Sequence, residues 1–251
     1  MQASTKCRLI TWAAILLFAQ VTRAEPLRVA LDIGHTPKVA GAGSASGLME
    51  YEFNKRMVRL ITDDLRRDPA FSVNVINPGG KEISLWQRAR VANEARADVF
   101  LSIHHDSAQS RYIKKVKVDD RTGYQTDRIK GFSVFLSQKN VDAAGSLRFA
   151  KALGSAMKGQ GLNPTAHHAE KIPGEGRDLL FPELGVYRYD DLIVLKAARM
   201  PAALLECGVI VNPAEEAELL KLEHQQKIVS AVHSALLEMK KFVLERKAAE
   251  R

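Results

Sequence analysis

Cysteine is nearly absent: the 251 residues contain two, Cys7 and Cys207. Cys7 lies in an N-terminal stretch read below as a removable leader, so Cys207 would stand alone, which excludes a disulfide-stapled fold. A lone cysteine at the end of an apolar strand is also a poor nucleophile, because burial keeps a thiol protonated. Aromatic residues make up 6% of the chain, and no repeated aromatic stacking positions accompany the basic run RYIKKVK at 111–117, which argues against a nucleic-acid partner. No G-x-S-x-G elbow follows any apolar run, so a serine hydrolase is poorly supported. Beyond the first two dozen residues no segment approaches the ~20 apolar residues of a spanning helix. There is no internal repeat and no sign of a second domain.

Residues 1–24 carry a basic start at Lys6 and Arg8, an apolar stretch from Leu9 to Val21, and a small-x-small site at Thr22-Arg23-Ala24. That is the pattern of a secretory signal peptide, so the mature chain is expected to be exported, to the periplasm or cell-wall space, and soluble. Its removal takes Lys6, Arg8 and Arg23 and no acid, lowering the net charge from +8 to +5. A basic balance suits an anionic polymer such as a cell-wall glycan without specifying it. The remaining length is enough for one α/β domain with a full core, expected over 25–240 with a solvated tail at 241–251.

The apolar pattern alternates between strand and helix. Arg28 to Ile33 reads as a buried strand, Glu52 to Arg67 as a helix, Phe71 to Ile76 as a strand, and Ser84 as the N-cap of the next helix. VFLSI at 99–103 is a short core strand ending at His104-His105. The charged stretch 110–130 reads as an exposed hairpin or loop inserted beside the site. GFSVFLS at 131–137 returns to strand and Ala143–Gly159 to helix. Residues 161–189, without a clear period, read as a long loop that could act as a lid. Leu192–Leu195 and Ala202–Glu206 look like two more strands, and a last helix from Pro213 places Leu219, Leu222, Ile228, Val232, Leu236 and Leu237 on its apolar side. The order predicts an α/β single domain: a mixed, mostly parallel twisted sheet with helices on both faces.

In such sheets ligands gather at the carboxyl ends of the strands. Three polar residues fall there: His35 after RVALDI, His104 after VFLSI, and Glu206 after PAALL. Each is a poor core residue, since a buried imidazole or carboxylate needs a partner. Two imidazoles and a carboxylate suit one Zn²⁺ ion with an open position for water. Glu50, just before the first helix, is the leading carboxylate and Glu52 its competitor; the charge of either could equally serve the helix N-terminus. His105 competes with His104, but neighbouring strand residues point to opposite faces, so one of the two is expected to turn away. Glu206 is then free as general base and acid for hydrolysis of an amide. Asp32 and Asp106 are candidates, by proximity, for orienting the imidazoles.

The segments DIGH (32–35), the acid at Glu50, AN…ADVFLSIHHD (92–106) and MPAALLECGVIVNPAEEAELL (200–220) resemble the zinc-dependent N-acetylmuramoyl-L-alanine amidases of bacterial cell walls, the amidase-3 catalytic type, from Leu27 to about Leu237. The resemblance implies His35, Glu50 and His104 as zinc ligands, Glu206 as the catalytic glutamate, and peptidoglycan as substrate, cut between N-acetylmuramic acid and L-alanine. A zinc peptidase acting within the stem peptide and a non-catalytic wall-binding module are the alternatives. Thr36-Pro37 replaces the family's usual Gly-Gly, and Val209 its usual aromatic, departures that reshape the groove without removing a ligand. The helical insertion that blocks the site in activator-dependent division amidases is not evident, so an enzyme without that autoinhibition is expected; an activator protein stays open, and a monomer is expected. Arg88 and Asn93 match the resemblance and are read as structural.

Overall fold

Leu27–Ile33 is apolar at nearly every position, a pattern that needs burial on both faces of a sheet, and it forms β1 at the heart of the molecule. The computed structural model describes residues 25–249, so the leader expected at 1–24 lies outside the described residues. Seven strands form one sheet in the order β2-β1-β3-β9-β6-β8-β7, where β2 is Phe71–Ile76, β3 Val99–Asp106, β6 Ser133–Leu136, β7 Asp178–Phe181, β8 Val186–Arg188 and β9 Ala202–Val209. The pairs β1/β2, β1/β3, β3/β9 and β6/β8 are parallel; β6/β9 and β7/β8 are antiparallel. The sheet is therefore mixed and mostly parallel, as expected.

Alternation along the strands decides what each face meets. The odd-numbered Leu27, Val29, Leu31 and Ile33 of β1 join the cluster formed with α1 (Glu50–Leu65), α3 (Ala143–Gly159) and α6 (Leu222–Ala249). Ala30, Phe100, Phe135 and Leu204 face the other way, into a cluster with α2 (Leu85–Glu94) and α4 (Ile193–Ala197). Each fully buried Leu, Phe or Ile contributes roughly 1.5–3 kcal/mol from its transfer out of water. Ser84 caps α2 in a capping box: its hydroxyl accepts from Gln87 N, and its own N–H donates to Gln87 Oε1 at 2.7 Å.

Residues 110–130 contain the expected hairpin, β4 (Lys114–Val118) and β5 (Arg121–Gln125). It is pinned to the loop after β1: Tyr124 N donates to Ser44 O at 3.0 Å and Gln125 Nε2 to Ala45 O at 3.2 Å.

Five expectations need correction. The segment 161–189 is not a structureless lid: it holds a 3₁₀ turn at His167–Ala169, the edge strand β7 and its neighbour β8, with Tyr187 fully buried. Leu192–Leu195 is not a strand but opens α4, since four apolar residues in a row carry no period that separates the two. The last helix is two, α5 (Pro213–Leu219) and α6, and across the break the buried Gln225 Nε2 donates to Leu219 O at 2.7 Å. Leu222 and Leu237 are on the exposed side rather than the apolar one. The segment 241–249 is not a separate solvated tail: α6 runs to Ala249, with Phe242 and Val243 against the core and Lys247 Nζ 3.2 Å from Asp98 Oδ1.

Candidate active site

His104 and Glu206 are register partners on the adjacent parallel strands β3 and β9. β1 ends at Ile33, Gly34 N continues the ladder to Ile103 O at 3.0 Å, and His35 then turns out with φ +67°. A non-glycine residue in this left-handed region costs of order 1–3 kcal/mol unless its surroundings over-determine it. Here they do: the buried Arg88 of α2 donates through Nη2 to His35 O at 2.6 Å and through Nη1 to Asp32 Oδ1 at 2.7 Å, and Ser102 Oγ donates to Asp32 Oδ2 at 2.8 Å. Asp32 thus holds Arg88 and not an imidazole, which corrects its expected role. Arg88 and Asn93 are structural, Asn93 by joining Ala197 O and Arg199 N.

Glu50 is the first residue of α1, and the loop before it folds back so that Ala42 N donates to its Oε2 at 3.2 Å. Its Oε2 lies 3.0 Å from His35 Nε2 and its Oε1 3.0 Å from His104 Nδ1. The candidate ligand atoms of His35, Glu50 and His104 all lie within 4.8 Å of one another. Burial pushes the Glu50 carboxyl upward, but hydrogen bonds and charge from His104 and His35 outweigh it and hold the group well below the usual carboxylate range. Glycines make room for the cluster. A Cβ on Gly34 would sit 2.5 Å from His104 Nε2, and one on Gly41 (φ +77°) would run into Glu50 Oε2 and the His35 ring.

The two competitors fall elsewhere. Glu52 is exposed on α1. His105 points into the opposite face beside Phe53, where burial pushes its imidazole down to about 3 and Asn54 Oδ1 accepts from its Nδ1 at 2.8 Å. The same Asn54 donates through Nδ2 to Glu50 Oε1 at 3.1 Å and to Gly34 O at 3.2 Å. Asn54 is fully buried, and it was not singled out in the sequence.

Glu206 Oε2 is buried and has no hydrogen-bond partner among the described residues. Burial, then the charges of Asp106 and Glu50, push its carboxyl well above the ordinary value. It faces a cavity of about 540 Å³ shared with His104, Asp106, His167, His168 and Tyr189. A groove of about 800 Å³ along α1 and β2 holds Glu52 but none of His35, Glu50, His104 or Glu206. Cys207 is buried among the core residues, where burial pushes its thiol up. Asp106 meets neither His35 nor His104 but His168 Nε2, 2.6 Å from its Oδ2, which corrects the second expected orienting role. His167 and His168 were missed because they fall in the segment read as a lid.

A mostly parallel α/β sheet with imidazoles, a carboxylate and an unpartnered glutamate at its strand ends defines a hydrolase-type α/β domain with a candidate metal centre. The chain belongs to the N-acetylmuramoyl-L-alanine amidase family, whose model matches residues 29–238. Members of this family are enzymes that hydrolyse the amide joining N-acetylmuramic acid to L-alanine in peptidoglycan. Among curated relatives, the N-acetylmuramoyl-L-alanine amidase AmiC of Neisseria meningitidis is 29% identical over 226 residues, covering 81% of this chain and 51% of that protein. AmiA of Escherichia coli is 24% identical, covering 83% of this chain and 74% of that protein. The chain thus spans about half the length of AmiC and of the similar AmiB of Haemophilus influenzae. Two solved structures share the fold: an amidase of Clostridium difficile 630 (TM-score 0.67, 22% identity, 85% of this chain and 96% of that one) and Ami1 of Mycobacterium smegmatis (TM-score 0.68, 20% identity, 88% and 99%).

Proposed function

We propose that this chain is a zinc-dependent amidase of the cell-wall space that frees stem peptides from peptidoglycan strands, with His35, Glu50 and His104 as zinc ligands and Glu206 as general base and acid. The donor set fits the ion: two imidazole nitrogens and one carboxylate oxygen converge, and Gly34 and Gly41 leave the cradle open. When bound, Zn²⁺ supplies Lewis-acid polarisation of the scissile carbonyl and lowers the pKa of water toward ~7. Glu50 keeps its negative charge in place against both imidazoles. Asn54 and the Ala42 N–H fix the plane of that carboxylate. Arg88 holds the His35 turn through its carbonyl.

Glu206 carries the proposal. A carboxylate oxygen buried without a partner is unfavourable in a finished core, so its place beside His104 suits a group kept for proton transfer. In the reaction Glu206 takes a proton from the attacking water and returns it to the amide nitrogen of the leaving L-alanine. Export to the periplasm or cell-wall space is supported by the leader pattern at 1–24 and by the basic balance.

The test is mass spectrometry of purified peptidoglycan digested with the protein, with chelator and with added zinc. Free stems beginning at L-alanine, lost with chelator, are expected. Cleavage within the stem refutes the bond assignment. Glu206→Gln is expected to lose about 10²–10⁴-fold in rate while binding zinc as the wild type does; undiminished turnover in that variant refutes the role of Glu206.

A further inference from the structure

We propose that Asp106, His167 and His168 form a second site for a divalent cation of the zinc class, lining the same cavity as Glu206, an inference that stands independently of the proposed function. Nothing in the amide hydrolysis described above uses these three residues. His168 Nε2 lies 2.6 Å and His167 Nε2 3.4 Å from the same atom, Asp106 Oδ2. The three candidate ligand atoms lie within 4.8 Å of one another.

Each side chain is oriented from behind, as metal-binding groups usually are. Asp106 Oδ1 accepts from Ser107 N at 2.8 Å, which leaves Oδ2 for the imidazoles. His167 Nδ1 is 2.9 Å from Thr165 Oγ1, so the ring presents Nε2 to the cluster. Backbone contacts fix the turn itself: Gln109 Nε2 donates to His167 O at 2.8 Å and Arg177 N to His168 O at 2.7 Å. Phe135 supports the His168 ring edge-on at 5.0 Å between centroids.

The independent observation is an orphan. The His167 side chain is 2% exposed, yet its Nε2 has no hydrogen-bond partner among the described residues. Where Thr165 Oγ1 accepts from Nδ1–H, Nε2 bears a lone pair, and Asp106 Oδ2, 3.4 Å away, is another acceptor. A cation would take the lone pairs of His167 Nε2 and Asp106 Oδ2 and displace the proton that His168 Nε2 donates to the same oxygen, so that all three atoms become ligands. Two nitrogens and one oxygen match the preference of Zn²⁺ and its neighbours. His167, His168 and Glu206 line the same cavity, so a cation there would border the space open to substrate.

The protein is stripped with chelator, loaded with excess Zn²⁺, desalted, and its metal content counted by plasma mass spectrometry. Two ions per chain are expected in the wild type, one in His168→Gln, one in Asp106→Asn, and one in His35→Asn. A wild type that holds one ion, kept in His168→Gln and lost in His35→Asn, overturns the second site and leaves the proposed function intact. One ion lost in His168→Gln and kept in His35→Asn supports this site and overturns the zinc placement of the proposed function. The wild-type count alone decides between one site and two if a variant fails to fold, which far-ultraviolet circular dichroism reports.

Discussion

Replacing Asn54 with leucine removes one amide that serves two ends of the site. In the wild type its Oδ1 accepts from His105 Nδ1 and its Nδ2 donates to Glu50 Oε1 and Gly34 O, all inside the protein. Leucine matches asparagine in branching and in number of side-chain heavy atoms, so the cost is chiefly polar rather than steric. His105 Nδ1 and Gly34 O lose their partner, at about 1–3 kcal/mol for each buried unsatisfied group. The larger apolar side chain returns about 1–2 kcal/mol, for a net loss of about 3 kcal/mol. At ~2–4 °C per kcal/mol for a domain of this size, Tm is expected to fall by about 6–12 °C in a circular dichroism melt. Glu50 also loses the donor that fixes its plane, and loss of such an orienting partner costs ~10–100-fold in metal affinity. Zinc affinity, measured by chelator competition well below Tm, tests that second consequence separately. A Tm within ~2 °C of wild type together with unchanged zinc affinity would refute the reasoning that Asn54 positions the carboxylate.

Gly41→Ala is expected to abolish zinc binding and activity while the chain still folds, because a Cβ there runs into Glu50 Oε2 and the His35 ring and φ +77° strains any other residue; equilibrium dialysis showing wild-type zinc affinity would contradict it. Asp98 gives a pH test away from the site: burial raises its pKa, but Arg28 and Lys247 outweigh that and hold it below the usual value. With the folded value below the unfolded ~3.9, its contribution is complete above about pH 4 and is lost as pH falls through the folded value. Asp98→Asn should therefore be less stable than wild type in urea at pH 7, and the gap should close below about pH 4; a gap constant from pH 7 to pH 3 counts against the ion pairs.

Parity made part of the site readable in the linear chain. Residues on a strand alternate faces, so neighbouring His104 and His105 could not both serve one centre, and the structure sends His104 toward Glu50 and His105 to Asn54. Neither parity nor period could choose between Glu50 and Glu52, because that choice depends on how the loop 36–49 folds back to bring Ala42 N onto the carboxylate. The helix start also falls two residues earlier than the apolar spacing suggests, which puts Glu50 in its first turn. The central strands were legible because they are buried on both faces and read as continuous apolar runs. The last two strands of the sheet are not: β7 and β8 are four and three residues long, divided by Pro182 and by Gly185 at φ +62°, too short for alternation to show.

That blind spot has a chemical consequence. Asp106 sits two residues beyond His104, so sequence proximity assigns it to the same centre, and Asp32 looks equivalent for the same reason. In three dimensions a bulge shifts the β3/β9 register between His104 and Asp106, so that Asp106 pairs with Val209 while His104 pairs with Glu206. The carboxylate therefore meets His167 and His168, which reach it only because Phe132 bridges to Pro164 and Tyr187 Oη donates to Thr165 O at 2.8 Å. Those tethers come from Phe132, just before β6, and from Tyr187 of β8, two short strands beyond the antiparallel β6/β9 pairing. A segment that reads as a lid by composition is thus part of the wall of the cavity. Control of access by opening 161–189 would require breaking strand pairing and a buried tyrosine contact, which makes a fixed wall with its own ligand chemistry the better account of the two histidines.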